Sequence, residues 1–296
     1  MSSHSIAFIG TGVMGRSMAG HLLKAGHALH VHNRTKEKAA ALLAAGAHWH
    51  DSPGTAAAQA DFVITIVGYP GDVEATYFGA DGVLAHARPG AVLIDMTTSS
   101  PLLARRIAGA ATAKGLNALD APVSGGDIGA REARLVIMCG GAEEAFARAQ
   151  PIFAVMGKTI ARLGGPGAGQ HCKMANQIAI AAGMLAWCEA LTYAQAAGLD
   201  PAKVVETIGS GAAGSWSLSN YGPRALRGDF APGFYVKHFL KDMRLALESA
   251  AEMKLALPGL AQAKKLYDDV AARGWEDYGT QVLYRYYAEQ LRSSAE

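Results

Sequence analysis

The glycine run Gly10-Thr11-Gly12-Val13-Met14-Gly15 constrains this chain more than any other feature. An apolar tetrad, Ile6-Ala7-Phe8-Ile9, precedes it, and a helical pattern over 16–25 follows. Strand, tight glycine turn and helix form the arrangement in which GxGxxG binds a dinucleotide. The first glycine permits the turn. The second leaves room for a pyrophosphate, and the third lets helix and strand pack closely. Unpaired N–H groups and the positive end of the helix dipole then face the phosphates.

The first half of the chain continues in the same alternation. Further strands are expected at 28–32, 62–67, 91–94, 116–121 and 135–139, with a second helix at 36–45. The runs at 62–67 and 91–94 are continuously apolar, as suits strands buried on both faces of a parallel sheet. The fold class is therefore α/β, with an N-terminal doubly wound Rossmann domain over 1–165. At Gly164-Gly165-Pro166-Gly167-Ala168-Gly169 the pattern breaks. Beyond it, helices are expected at 170–197, 201–208, 236–253, 260–272 and 280–291. A helical substrate and dimerisation domain is thus assigned to 166–296, linked through the long helix, with a ligand cleft expected where the domains meet.

Composition narrows the function. The 296 residues leave room for two domains, and half of them are hydrophobic. A net charge of +2 gives no electrostatic case for nucleic acid or a membrane surface. Cys139, Cys172 and Cys188 lack zinc-like spacing and read as reduced thiols, with no metal site implied. No secretion-signal pattern opens the sequence, and the longest apolar stretch, 178–187, is too short to span a bilayer. A cytoplasmic protein is expected.

A Rossmann domain commonly places Asp or Glu at the end of its second strand, against the adenosine ribose. Here that point reads Asn33-Arg34-Thr35, without a carboxylate. Arg34 can pair with a 2′-phosphate, and Asn33 and Thr35 can donate hydrogen bonds, so NADP is expected, with NAD possible.

Three segments can carry chemistry. In Asp120-Ala121-Pro122-Val123-Ser124-Gly125-Gly126, the Ser124 hydroxyl and the backbone N–H groups of the glycine pair can converge on an anion; the same run also fits an ordinary turn. Lys173, Asn176 and Gln177 lie at i, i+3 and i+4 on one helix face. The small and apolar neighbours of Lys173 would partly desolvate its ammonium and ease proton exchange, although a solvated lysine near a helix end fits too. In Val236-Lys237-His238-Phe239-Leu240-Lys241-Asp242, Phe239 can cover a cofactor ring and Lys241 can reach it; a core aromatic is the alternative.

Together these segments resemble the β-hydroxyacid dehydrogenase family, which includes 3-hydroxyisobutyrate dehydrogenase, tartronate semialdehyde reductase and the glyoxylate/succinic semialdehyde reductases. The resemblance runs through residues 8–15, 120–126 with Gly129-Ala130, 167–177 and Lys241-Asp242, in the family's order. It implies hydride transfer between NAD(P) and a short 3-hydroxyacid or its semialdehyde, with Lys173 as general acid/base. It further implies that Ser124, Gly125 and Gly126 hold the substrate carboxylate and that Asn176 or Gln177 orients the substrate. Thr98, Gly68, Tyr69 and Lys241 are implied at the cofactor, and a homodimer or homotetramer is implied. The sequence departs from the family at His21, where asparagine is frequent, at Ala133, where glycine is, and at Gly68-Tyr69, where leucine-proline is. Two other readings on the same scaffold are a catalytically silent nucleotide sensor and an imine reductase; a lysine at 173 counts against the first and the Ser124-Gly125-Gly126 loop against the second. A 6-phosphogluconate-type dehydrogenase would need a longer second half. The stretch around Trp216, with Ser215, Ser217 and Asn220, fits a pocket wall or an interhelical turn equally well.

Overall fold

A computed structural model describes residues 3–293 of the chain. The chain divides into two compact units, Met1–Lys173 and Met174–Glu296.

The first unit opens with β1 (Ser5–Ile9), α1 (Gly15–Lys24), β2 (Ala28–His32), α2 (Ala40–Ala44), β3 (His48–Trp49), α3 (Pro53–Ala57) and β4 (Phe62–Thr65). It continues through α4 (Pro70–Phe78), α5 (Val83–His86), β5 (Val92–Asp95), α6 (Pro101–Thr112), β6 (Asn117–Asp120), β7 (Val123–Ser124), α7 (Gly126–Arg131), β8 (Leu135–Gly141), α8 (Glu143–Ala154) and β9 (Gly157–Gly164). The strands form one sheet in the order β3-β2-β1-β4-β5-β6-β8-β7, with β9 on β8. Its first six strands are all parallel and follow the doubly wound order 3-2-1-4-5-6. The strand order reverses between β1 and β4, and ligands of such sheets bind at that switch point.

Alternation along β1 shows why 6–9 are all apolar. Ile6 and Phe8 enter one core with Met18, Leu22 and Ile94, while Ala7 and Ile9 enter another with Val63, Tyr77 and Leu93. Both faces are covered, so all four of these positions favour apolar side chains.

In the second unit, α9 (Ala168–Ala196), which begins in the first, is followed by α10 (Pro201–Gly209), α11 (Trp216–Leu226), α12 (Val236–Glu252), α13 (Pro258–Ala272) and α14 (Leu283–Ser293). Their shared core includes Met184, Trp187, Leu191, Phe239, Met243, Tyr267 and Leu283. Asp200 starts α10 by accepting the Ala202 N–H at 2.9 Å, with Pro201 at the first helical position. By length and composition α9 is apolar enough to cross a membrane, contrary to the shorter stretch read from sequence. Met184, Trp187, Cys188 and Leu191 along it are buried in the core of the second unit.

Every expected strand is present within two residues of its bounds. The expected helix at 36–45 is instead a 3₁₀ turn, Lys36–Ala39, leading into α2. The glycine-rich stretch near Trp216 contains a helix, α11, capped by Ser215 Oγ on the Leu218 N–H at 3.1 Å.

Candidate active site

The glycine turn closes the end of β1. Gly10 has φ +103°, and a Cβ there would lie 2.0 Å from the Ile66 carbonyl oxygen beyond β4. A Cβ on Gly15 would lie 1.9 Å from the Gly10 carbonyl oxygen. At Gly12 nothing lies within 4 Å of that position. Two glycines therefore serve close packing, and the third leaves open space, as a bound pyrophosphate requires. The Oγ1 of Thr11 is buried and has no hydrogen-bond partner among the described residues. These features fit a dinucleotide, which would lie along Gly10, Thr11, Gly12, Val13, Met14 and Gly15.

The loop after β2 is tied to that turn. Asn33 Oδ1 accepts the Thr11 N–H at 3.0 Å, and its Nδ2 donates to the Thr35 carbonyl at 2.8 Å. Asn33 is thus a brace as well as a potential donor. Arg34 is exposed, and its Nη1 donates to Asp72 Oδ1 at 3.0 Å. Tyr69 stands at the start of α4, where its N–H reaches Asp72 Oδ2.

Past β5, Asp95 is buried at the head of the loop that carries Thr98. Its Oδ1 accepts from the Thr65 hydroxyl at 2.9 Å and the Thr97 N–H at 3.0 Å. Burial pushes its carboxyl up to about 6, against the pull of those bonds. Gln170 clamps the same loop from α9, accepting the Ser99 N–H at 2.9 Å and donating to the Thr97 carbonyl at 2.8 Å. Gln170 is fully buried. Nothing in the sequence pattern marks it, because a lone glutamine inside a helix has no signature.

Asp120 anchors the start of α9. Its two carboxylate oxygens accept the N–H groups of Gly167 at 2.7 Å and Gln170 at 2.8 Å. These are orphan donors of a helix N-terminus, so a negative group is well placed there. Burial raises the Asp120 pKa while the backbone donors lower it. A Cβ on Gly169 would meet the Met138 carbonyl at 2.3 Å and the Asp120 carbonyl at 2.6 Å. This close approach requires glycine at 169, whereas Gly167 has φ +89°. One turn beyond Gly169 is Lys173, which is 6% exposed.

Ser124 lies at the end of β7, paired with Val136 of β8. Gly125 and Gly126 follow with φ +126° and +61°, conformations that favour glycine. Helix α7 then begins, and the His21 ring donates Nε2–H to the Ala130 and Arg131 carbonyls at 3.0 and 3.1 Å. His21 therefore fastens α1 of the glycine turn to the helix behind Ser124. Ala133, just past α7, has φ +52°, which accounts for a glycine preference at this point.

In the second unit the remaining predicted residues form a buried polar chain. Asn176 Nδ2 donates to Gln177 Oε1 at 2.7 Å, and Gln177 Nε2 donates to Asp242 Oδ2 at 2.6 Å. Lys241 Nζ stands 2.9 Å from Asp242 Oδ1. Gln177, Lys241 and Asp242 are buried, whereas Asn176 is half-buried. Phe239 follows the core alternative. It is fully buried in the helical core, edge-on to Phe234 and Tyr267, and so offers no open ring face.

Comparison with known proteins identifies the family. Residues 5–165 match the NAD-binding domain of 6-phosphogluconate dehydrogenase, and residues 167–287 match the NAD-binding domain of NADP-dependent 3-hydroxyisobutyrate dehydrogenase. The chain is 52% identical over 283 residues to the probable 3-hydroxyisobutyrate dehydrogenase-like 1, mitochondrial, of Arabidopsis thaliana, covering 95% of this chain and 84% of that protein. It is 40% identical over 269 residues to 2-hydroxy-3-oxopropionate reductase of Escherichia coli, covering 91% and 92%. Among solved structures, 3-hydroxyisobutyrate dehydrogenase of Mycobacterium tuberculosis with L-serine superposes with a TM-score of 0.88 at 32% identity, covering 96% and 99%. The chain belongs to the β-hydroxyacid dehydrogenase family and is an NAD(P)-dependent oxidoreductase.

Proposed function

We infer that the protein interconverts a short 3-hydroxyacid and its semialdehyde, with Lys173 as general acid and base and NADP as the preferred coenzyme. The observation that carries this reading is the buried Lys173 ammonium, one turn into a helix whose start is fixed by Asp120. A side chain held on a rigid element delivers a proton to one place.

The bound nicotinamide would supply or accept the hydride. In reduction, Lys173 gives its proton to the carbonyl oxygen as negative charge develops there. In oxidation the neutral amine takes the proton from the hydroxyl. Ser124 and the glycine pair hold the substrate carboxylate, and His21 steadies α7 behind them. Asn176 orients the substrate; Gln177, already engaged on both ends of its amide, positions Asn176. A carboxylate-bearing 3-hydroxy compound is further supported by the relative solved with L-serine, itself a 3-hydroxyacid. Arg34 supports the NADP preference through its charge.

The test pairs a substrate screen with a Lys173→Ala variant. Reduced-coenzyme absorbance is followed with glyoxylate and with succinic, tartronate and methylmalonate semialdehydes, using NADPH and NADH in parallel. Lys173→Ala lowers kcat by about 10²–10⁴ on the best of these while NADPH binding stays intact. Near-normal turnover in that variant removes the lysine from the chemistry.

A further inference from the structure

The end of β2 lacks the ribose carboxylate, yet the fold brings one there from a different element. Asp72 lies in the first turn of α4, and its Oδ1 accepts from Arg34 Nη1 at 3.0 Å. Its Oδ2 accepts the Tyr69 N–H at 3.1 Å. The Asp72 side chain is 23% exposed and that of Arg34 81%. The carboxylate is therefore held by the helix start, while the guanidinium is the movable partner. An ion pair this exposed contributes little, so Arg34 can leave it. Only one of its five N–H donors is used in the pair, and the rest of the fork is able to meet a phosphate.

Gly68 adds a second observation. A Cβ at that position would lie 3.0 Å from Asp72 Oδ2. A larger side chain would crowd the carboxylate from this side; glycine leaves it uncovered.

The two charges suit two different riboses. A carboxylate accepts a hydrogen bond from a 2′-hydroxyl and repels a 2′-phosphate, whereas a guanidinium pairs with the phosphate. We propose that Asp72 is a specificity-determining residue: it supplies from α4 the ribose carboxylate that β2 lacks, admitting NAD(H) and limiting the preference for NADP(H) that Arg34 confers. This rests on the reading of the Arg34 loop as the adenosine-ribose site.

The experiment measures dissociation constants of the full-length protein for 2′,5′-ADP and 5′-AMP, two probes that differ only in the 2′-phosphate, and for NADPH and NADH. Asp72→Asn removes the charge and keeps an oxygen for the Tyr69 N–H; Asp72→Ser provides a second, smaller cap. In both variants the preference for 2′,5′-ADP over 5′-AMP rises about tenfold, the scale of one charge acting on a dianion about 6 Å away in a water-like dielectric. The NADPH to NADH preference rises in parallel. General loosening of the loop would weaken both probes and leave their ratio unchanged. An unchanged or falling ratio overturns the role of Asp72. Arg34→Ala separates that failure from failure of the underlying reading: it lowers 2′,5′-ADP affinity if the ribose site is here. Unchanged 2′,5′-ADP affinity in Arg34→Ala places the 2′-phosphate elsewhere and overturns the proposal with it.

Discussion

Asp95→Asn should stabilise the Rossmann unit, and only above acid pH. Burial is the largest influence on Asp95, lifting its carboxyl from an ordinary 3.8 to about 6; Asp120, its partner in register on β6, pushes in the same direction. Below about pH 4 the acid is protonated folded and unfolded, and its charge costs nothing. Between the two values the folded chain keeps a proton that the unfolded chain has lost, so stability falls as pH rises. Above about pH 6 the charge is buried in full. A difference of about two units corresponds to about 3 kcal/mol. Asparagine avoids that cost and keeps an oxygen for the Thr65 hydroxyl and the Thr97 N–H, which both donate to Oδ1. The amide oxygen of asparagine can occupy the same place. Hydrogen exchange of the β5 amides under mild denaturant reads the stability of this unit directly. The variant should match the wild type near pH 4 and exceed it by about 3 kcal/mol near pH 7.5. A gap of the same size at both pH values, or a variant weaker near pH 7.5, refutes the argument that Asp95 is charged at a cost in the folded protein.

Two further changes test the scaffold around the site. Ala133→Gly relieves a non-glycine residue at φ +52° and should raise stability by about 1 kcal/mol in urea denaturation; no gain would mean that the unfolded-state entropy of glycine offsets the strain. Gln170→Leu leaves the buried Ser99 N–H and Thr97 carbonyl without their side-chain partner and should cost about 2–4 kcal/mol, read by the same method, together with weaker coenzyme binding.

The parts of the fold that the sequence makes legible are those whose burial is uniform. β1, β4 and β5 are apolar at nearly every position because the sheet is covered on both faces, and their runs are unmistakable. β9 is the opposite case. Lys158, Thr159 and Arg162 are exposed along it, and its pairing with β8 slips twice, so no alternation survives to announce a strand. β3 has two residues, too few to carry any period. α11 was concealed by Gly214, Gly222 and an internal Pro223, all of which read as turn signals. In the fold Ser215 caps it, with Oγ accepting the Leu218 N–H.

The site divides along a different line. Residues in a glycine turn or beside a lysine are legible because a motif states the chemistry. Residues that hold those groups in place have no motif, since any polar side chain at the right distance serves. Asp120 ends a strand in the sequence, but in the fold it accepts two backbone N–H groups 47 and 50 residues away. Asp72 reads as a first-turn acid of a helix, which it is, yet it also pairs with Arg34 38 residues earlier. The absence of a carboxylate after β2 was read from the local sequence as an absence at the ribose. A parallel sheet places the ends of β2 and β4 along one edge of the domain, so the loop after one strand can complete the charge of the loop after another. On the proposed role of Asp72, coenzyme choice in such a domain becomes a property of neighbouring loops in space rather than of Arg34 alone.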